Sequence, residues 1–172
     1  KNGFISLQNG YHGETVGALS VTDIPLFKST YAPLLRHTLQ VPTPDARLAE
    51  AGESAEAYAL RCAAALESHL AEHAATTAAF IVEPLVQGAA GMATYHPAYL
   101  ARARELCDRY EVHLIADEIA VGFGRTGTMF ACEQAAAYLE ANSDAETAPP
   151  SRTRRSAPAE SGGSASGRGG TT

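Results

Sequence analysis

The chain has 172 residues, 45% of them apolar and 19% charged, with a formal charge of −6. That length holds one domain with a true core and excludes two ordinary ones, and the composition excludes a wholly disordered or fibrous chain. The acidic balance argues against a nucleic-acid binder, which needs clustered Lys and Arg, and no apolar run approaches the length of a membrane span.

The first expected element is a short strand, Phe4-Ile5-Ser6-Leu7, followed by a turn at Asn9-Gly10 and helical text from Glu14 to Val21. Residues 22 to 51 carry Pro25, Pro33, Pro42 and Pro44 and read as an irregular excursion. A long helix is expected from Ser54, a suitable N-cap, to His73, with Ala59, Cys62, Ala63, Leu66 and Leu70 forming one apolar stripe. Ala79-Phe80-Ile81-Val82 is apolar on both faces, as a central parallel strand should be, and Glu83-Pro84 ends it. Gln87 to Gly91 reads as loop.

Pro97 opens a second helix at the position that best tolerates proline, with Leu100, Ala103, Leu106, Cys107 and Tyr110 on its buried face. Arg102, Arg104 and Arg109 alternate with acids on its polar side and read as a solvated surface. Val112 to Ala116 is the third strand, ending at Asp117-Glu118, and a Gly-rich turn leads to a last helix over residues 130 to 140. Alternating strands and helices predict an α/β domain with a mostly parallel sheet over residues 1–140. From Ala141 to Thr172 there is no large apolar residue, so that stretch is expected to be a disordered tail. Cys62, Cys107 and Cys132 form no C-x-x-C pair and read as reduced thiols of a cytoplasmic protein.

Right-handed crossovers bring all strand C-termini of such a sheet to one edge, where ligands bind. Tyr11 and His12 follow the first strand, Glu83 ends the second and Asp117 ends the third, so one rim should collect an aromatic ring and two carboxylates. Asp117 either faces a ligand there or caps the next turn. Two other patterns carry less. Gly122-Phe123-Gly124-Arg125-Thr126-Gly127 matches G-x-G-x-x-G but stands too far from its strand for a dinucleotide site, and the acid about 20 residues on, Asp144, falls in the stretch expected to be disordered. His69-Leu70-Ala71-Glu72-His73 has the spacing of an inverted zinc motif, yet no third ligand follows it, and solvated histidines at a helix end are the simpler account.

The stretches Ile81-Val82-Glu83-Pro84-Leu85-Val86-Gln87-Gly88-Ala89-Ala90-Gly91 and Asp117-Glu118-Ile119 with Gly122 to Gly127, together with Asn9-Gly10-Tyr11-His12-Gly13, resemble the class III pyridoxal-phosphate aminotransferases. Within that family the likeness is greatest to the branch that serves biotin synthesis, and it runs from about residue 2 to residue 135. It implies a piece of the large cofactor domain of fold type I, pyridoxal 5′-phosphate as cofactor, and transfer of an amino group from S-adenosylmethionine to a keto acceptor, 8-amino-7-oxononanoate, in a cytoplasmic homodimer. By position it makes Asp117 the partner of the cofactor's ring nitrogen. Tyr11 stacks on the ring and lines the substrate pocket, with His12 beside it. Ile119 lies on the ring's other face, and Glu83 is a nearby carboxylate. The chemistry also needs a Schiff-base lysine after Asp117. Lys1 and Lys28 are the only lysines here, so an inactive fragment, poorly soluble by itself, is expected. Two other readings stay open: a fragment of an ω-amino-acid enzyme of the same class, or a non-catalytic domain that binds a partner or ligand.

Overall fold

The computed structural model describes residues 1–142. Its elements are β1 (Gly3–Leu7), α1 (Val16–Val21), α2 (Pro25–Lys28), a 3-10 turn (Ser29–Leu34), β2 (Leu39–Val41), a second 3-10 turn (Ala46–Leu48), α3 (Ala55–His73), β3 (Thr77–Val82), β4 (Val86–Gln87), β5 (Ala93–Thr94), α4 (Pro97–Arg109), β6 (His113–Ala116) and α5 (Glu133–Asn142). Strands β2, β1, β3 and β6 lie in that order in one sheet, and every pair is parallel.

The sheet's register explains its core. Ile5 pairs with Phe80, and Phe80 with Leu114. Ile5, Leu7, Phe80 and Val82 therefore share one face, because side chains alternate along a strand. Against that face pack α3 and α4. The stripe expected on α3 is the one buried (Ala59, Cys62, Ala63, Leu66, Leu70), joined by Leu100, Ala103, Leu106 and Cys107 of α4. Ser54 caps α3 by accepting the Ala57 amide at 3.1 Å, and Pro97 opens α4 behind a His96 cap. The opposite face, with Phe4 and Ile81, lines a cavity of about 290 Å³ beside α1. At the sheet's end β6 is open, and Ile115 is exposed.

Four expectations are corrected. The proline-rich stretch 22–51 contains a sheet strand, β2, which pairs Leu39 with Ile5 and so lengthens the sheet by one. Its three residues are too few to show a period. Gln87 belongs not to a loop but to a short antiparallel hairpin, β4–β5, pairing with Ala93. The last helix starts at Glu133, with Cys132 just before it, and continues to Asn142, so Ala141 and Asn142 are helical. The arginines of α4 do more than face solvent: Arg102 and Arg109 both bond Glu67 of α3, at 3.0 and 2.6 Å, tying the two helices together. The tail expected over 141–172 otherwise lies outside the described residues.

The core holds one unsatisfied group that makes a test. Tyr99 is fully buried between Phe80 and Tyr95, and its hydroxyl has no hydrogen-bond partner among the described residues. An unpaired buried hydroxyl costs about 1–3 kcal/mol. Tyr99→Phe is therefore expected to stabilise the domain by roughly 1 kcal/mol, the rest being offset by the small void left. A urea midpoint that rises at constant slope would show it, and a falling midpoint would reveal a partner for the hydroxyl.

Candidate active site

The strand ends deliver the expected residues to one place. A cavity of about 280 Å³ opens beyond the C-terminal edge of β1, β3 and β6, lined by Tyr11, His12, Glu83, Gly88, Asp117 and Ile119 among others. Its size sits just below the ~300 Å³ at which ligand pockets begin, which suits a single aromatic ring. Larger cavities exist on the surface, but they lack paired carboxylates.

Local sequence explains how the 9–13 turn reaches the cavity. Asn9 adopts a left-handed conformation with φ 60°, which asparagine tolerates, and Asp23 accepts its amide at 3.0 Å. The Asp23 amide in turn donates to the Gly10 carbonyl. Thr22, fully buried at the end of α1, accepts the His12 amide at 2.9 Å. Gly10 leaves little room for a side chain: a Cβ there would lie 3.1 Å from the Leu7 carbonyl and 3.3 Å from His12 Nε2.

Glu83 is the organising carboxylate. One oxygen accepts the Tyr11 amide at 3.0 Å and the other the Gly88 amide at 2.9 Å, so it joins the first turn to the β4 side of the cavity. Burial, the larger effect, pushes its pKa above the ordinary 4.5, and neighbouring Asp117 adds to the rise, against the two amides and His12. Leu85, two residues on, is held at φ 64°, a conformation rare for a bulky residue.

Asp117 continues the β3–β6 ladder through its amide, which donates to Val82, and its side chain caps the next turn while reaching the cavity. Oδ1 accepts the Ile119 amide at 3.2 Å, capping the turn, while Oδ2 meets His12 Nδ1 at 2.8 Å. The His12 and Asp117 side chains are 2% and 12% exposed. Tyr11 is half-buried, its ring 5.3 Å from that of Phe27 and its hydroxyl donating to Glu14. Burial, with Glu14 beside it, raises the Tyr11 pKa. Ile119 lies on the rim and is 91% exposed.

Several contributors escaped the sequence reading. Thr22 and Asp23 sit where nothing but proline density is visible. Gln87 is buried, donates to the Gln8 carbonyl at 3.0 Å and accepts from Thr43. Glu118 accepts the amides of Ala131 and Cys132 at 3.0 and 2.9 Å, closing the glycine-rich loop on itself. Gly122 lies so near the Glu118 carbonyl that a Cβ would come within 2.9 Å. Gly124 and Gly127 take left-handed φ of 83° and 106°, so close approach at Gly122 and turn geometry at the other two explain the loop's glycines without a nucleotide. His69 and His73 stack 6.2 Å apart on α3, away from the cavity. No cluster of three or more metal-ligating side chains occurs among the described residues.

The profile of the family described as aminotransferase class-III matches residues 1–145. The chain belongs to the class III aminotransferases. The family match thus extends through α5, beyond the residue 135 at which the motif likeness ends. Among relatives, the adenosylmethionine-8-amino-7-oxononanoate aminotransferase of Geobacter sulfurreducens is 47% identical over 133 residues, covering 77% of this chain and 29% of that protein. The enzyme of the same name from Helicobacter pylori is 47% identical over 131 residues, covering 76% and 28%. Among solved structures, the omega transaminase of Pseudomonas jessenii in complex with PMP superposes with a TM-score of 0.70 at 40% identity, covering 79% of this chain and 30% of that one. The adenosylmethionine-8-amino-7-oxononanoate aminotransferase of Methanocaldococcus jannaschii gives 0.68 at 35%, covering 81% and 29%. This class III chain thus spans less than a third of the length of the relatives it matches.

Glu83 also offers a test by pH. Its folded pKa lies above its unfolded one, so the folded state holds this proton the more tightly. Its contribution to stability is complete below about 4.5 and is lost as pH rises through the folded value. Glu83→Gln is expected to cost about 1–3 kcal/mol, because an amide offers one acceptor to two backbone donors. The gap between wild type and variant should narrow as pH rises from 4.5. A gap that widens would mean that Glu83 is stabilised as the anion.

Proposed function

We propose that the cavity is the ring-binding half of a pyridoxal 5′-phosphate site and that the chain is part of an aminotransferase. The observation that carries this reading is Asp117: a nearly buried carboxylate on a ring-sized cavity, with a second carboxylate nearby and no Lys or Arg among the described residues lining it. Such a donor set fits a flat cation, and a pyridine ring protonated at its nitrogen is one.

When bound, the cofactor ring supplies an electron sink for the bond broken at the substrate carbon. The chain's own residues prepare the place for it. Asp117 would hold the proton on the ring nitrogen, and Tyr11 and Ile119, which line the same cavity, would pack against the ring. Glu83 fixes the backbone of Tyr11 and Gly88, and so the width of the cavity.

The substrates proposed are S-adenosylmethionine as amino donor and 8-amino-7-oxononanoate as acceptor, on the strength of the names and 47% identity of two relatives. The omega transaminases among the structural neighbours support a second reading with another amine donor. Neither lysine of the chain lines the cavity, so the amine that would hold the cofactor's aldehyde is proposed to come from sequence beyond these residues. The exposed rings of Phe123 and Phe130 and the open edge of β6 support a larger assembly, a homodimer in this reading.

The test needs no lysine. Pyridoxamine 5′-phosphate, which binds without a covalent bond, is titrated into the ¹⁵N-labelled chain. Amide shifts are expected at Tyr11, His12, Gly88 and Ile119. No shift at those residues up to millimolar ligand, or shifts centred elsewhere, would overturn the assignment.

A further inference from the structure

The β4–β5 hairpin supplies part of the cavity wall, and by itself it is weakly built. Each of its strands has two residues, and a lone two-stranded hairpin is marginally stable at best. Its connection, residues 88–92, contributes Gly88 and Ala89 to the cavity lining. That connection turns sharply. Gly91 and Met92 take φ of 74° and 55°, a left-handed region that a residue other than glycine seldom adopts. Such a backbone keeps one shape only where the surrounding structure holds it.

The start of the connection is held from the sheet side: Glu83 accepts the Gly88 amide, and the Gln87 side chain bonds Gln8 and Thr43. From outside the hairpin, Arg47 alone bonds residues 89–92 among the described residues. Its Nη2 donates to the Ala90 carbonyl at 3.1 Å and its Nη1 to the Gly91 carbonyl at 3.2 Å. Arg47 is itself aimed. Asp45, whose side chain is 8% exposed, accepts from Nε at 2.9 Å and from Nη2 at 2.7 Å. The same carboxylate caps the second 3-10 turn by accepting the Arg47 amide at 3.0 Å. Every nitrogen of the guanidinium is thus bonded, one edge to Asp45 and the other to a loop 43 and 44 residues away.

We propose that Arg47 is a positioning residue for the cavity: with Asp45 it clamps the tip of the β4–β5 connection and so fixes the wall that Gly88 and Ala89 present to a ligand. Arg47 does not line the cavity, and it acts through the loop. The planar fork is what the place requires, since it grips a carboxylate along one edge and two carbonyls along the other. A lysine ammonium offers its three donors from a single point and satisfies only part of that set. The Arg47 side chain is 57% exposed, so water competes for each bond, and the clamp orders the loop more than it stabilises the domain. Its bearing on ligand binding rests on the function proposed above; the clamp itself does not.

The test takes two readings on the full ¹⁵N-labelled chain. In the ligand-free protein, backbone order parameters of Ala89, Ala90 and Gly91 are expected near about 0.85 in wild type and below about 0.6 in Arg47→Met, which keeps a long side chain and loses every donor. Arg47→Lys should fall between the two. Arg61→Met removes a similarly exposed arginine, paired with Glu53, and should leave the loop unchanged. Pyridoxamine 5′-phosphate is then titrated in. Its Kd should rise about fivefold or more in Arg47→Met, less in Arg47→Lys and not at all in Arg61→Met, with the urea midpoints close to wild type. Unchanged order parameters in Arg47→Met would overturn the clamp. A loosened loop with an unchanged Kd would overturn its role at the cavity, as would a variant whose urea midpoint alone moved. Wild type that binds no pyridoxamine 5′-phosphate would instead sink the ring-binding proposal, while the order parameters still decide the clamp.

Discussion

Asp117→Asn is expected to weaken the binding of pyridoxamine 5′-phosphate by roughly 10- to 150-fold, the equivalent of the ~1.5–3 kcal/mol of a charge-assisted hydrogen bond. Asparagine keeps the shape and one acceptor but not the charge. Its one oxygen can still receive a hydrogen bond from His12 but not from the Ile119 amide as well, so a stability cost of about 1–3 kcal/mol is expected beside the loss of binding. It cannot hold a proton on a ring nitrogen. A ligand of the same outline with a benzene ring in place of the pyridine separates the two effects. That analogue has no nitrogen for Asp117 to meet, so wild type and Asp117→Asn should bind it equally. Equal loss of both ligands would mean that residue 117 only shapes the cavity. Isothermal titration with the two ligands and two proteins gives the coupling directly.

The placement of Asp117 was legible in the sequence for a physical reason. A carboxylate directly after an apolar strand has few places to go, and a parallel sheet sends all its strand ends to one edge. Tyr11, His12 and Glu83 follow the same rule, and the structure brings them together within hydrogen-bond reach. The strongly periodic elements were legible too: the stripe on α3 spans three turns, long enough for its period to stand out. What escaped the sequence is what depends on contacts between distant residues. Strand β2 has three residues and no alternation to read, and it exists because β1 offers a partner edge. Gln87 looks like loop because its value lies in Thr43 and Gln8, 44 and 79 residues away. The pairing of Glu67 with two arginines of α4 depends on how two helices lie side by side. No local pattern records any of these.

The division of the sheet into a packed face and an open one makes the sharpest stability test. Phe80 lies on the central strand β3, fully buried, level with Ile5 and Leu114, with its ring 6.5 Å from Tyr99 at a steep angle. Phe80→Ala removes a whole ring from a site closed on every side by strands and helices, so the walls can relax little. The expected cost is about 3–5 kcal/mol, a large part of the ~5–15 kcal/mol that holds an ordinary domain together. Ile81, the next residue, points to the other face and lines the cavity beside α1. It is only partly buried, and the space left by Ile81→Ala joins a cavity that already exists. Its cost is expected to stay near 1–2 kcal/mol, chiefly the transfer energy of the lost methyl groups. Urea unfolding of both variants at unchanged slope measures the difference. Equal costs would mean that the two faces are equally packed and that α3 and α4 do not define the core.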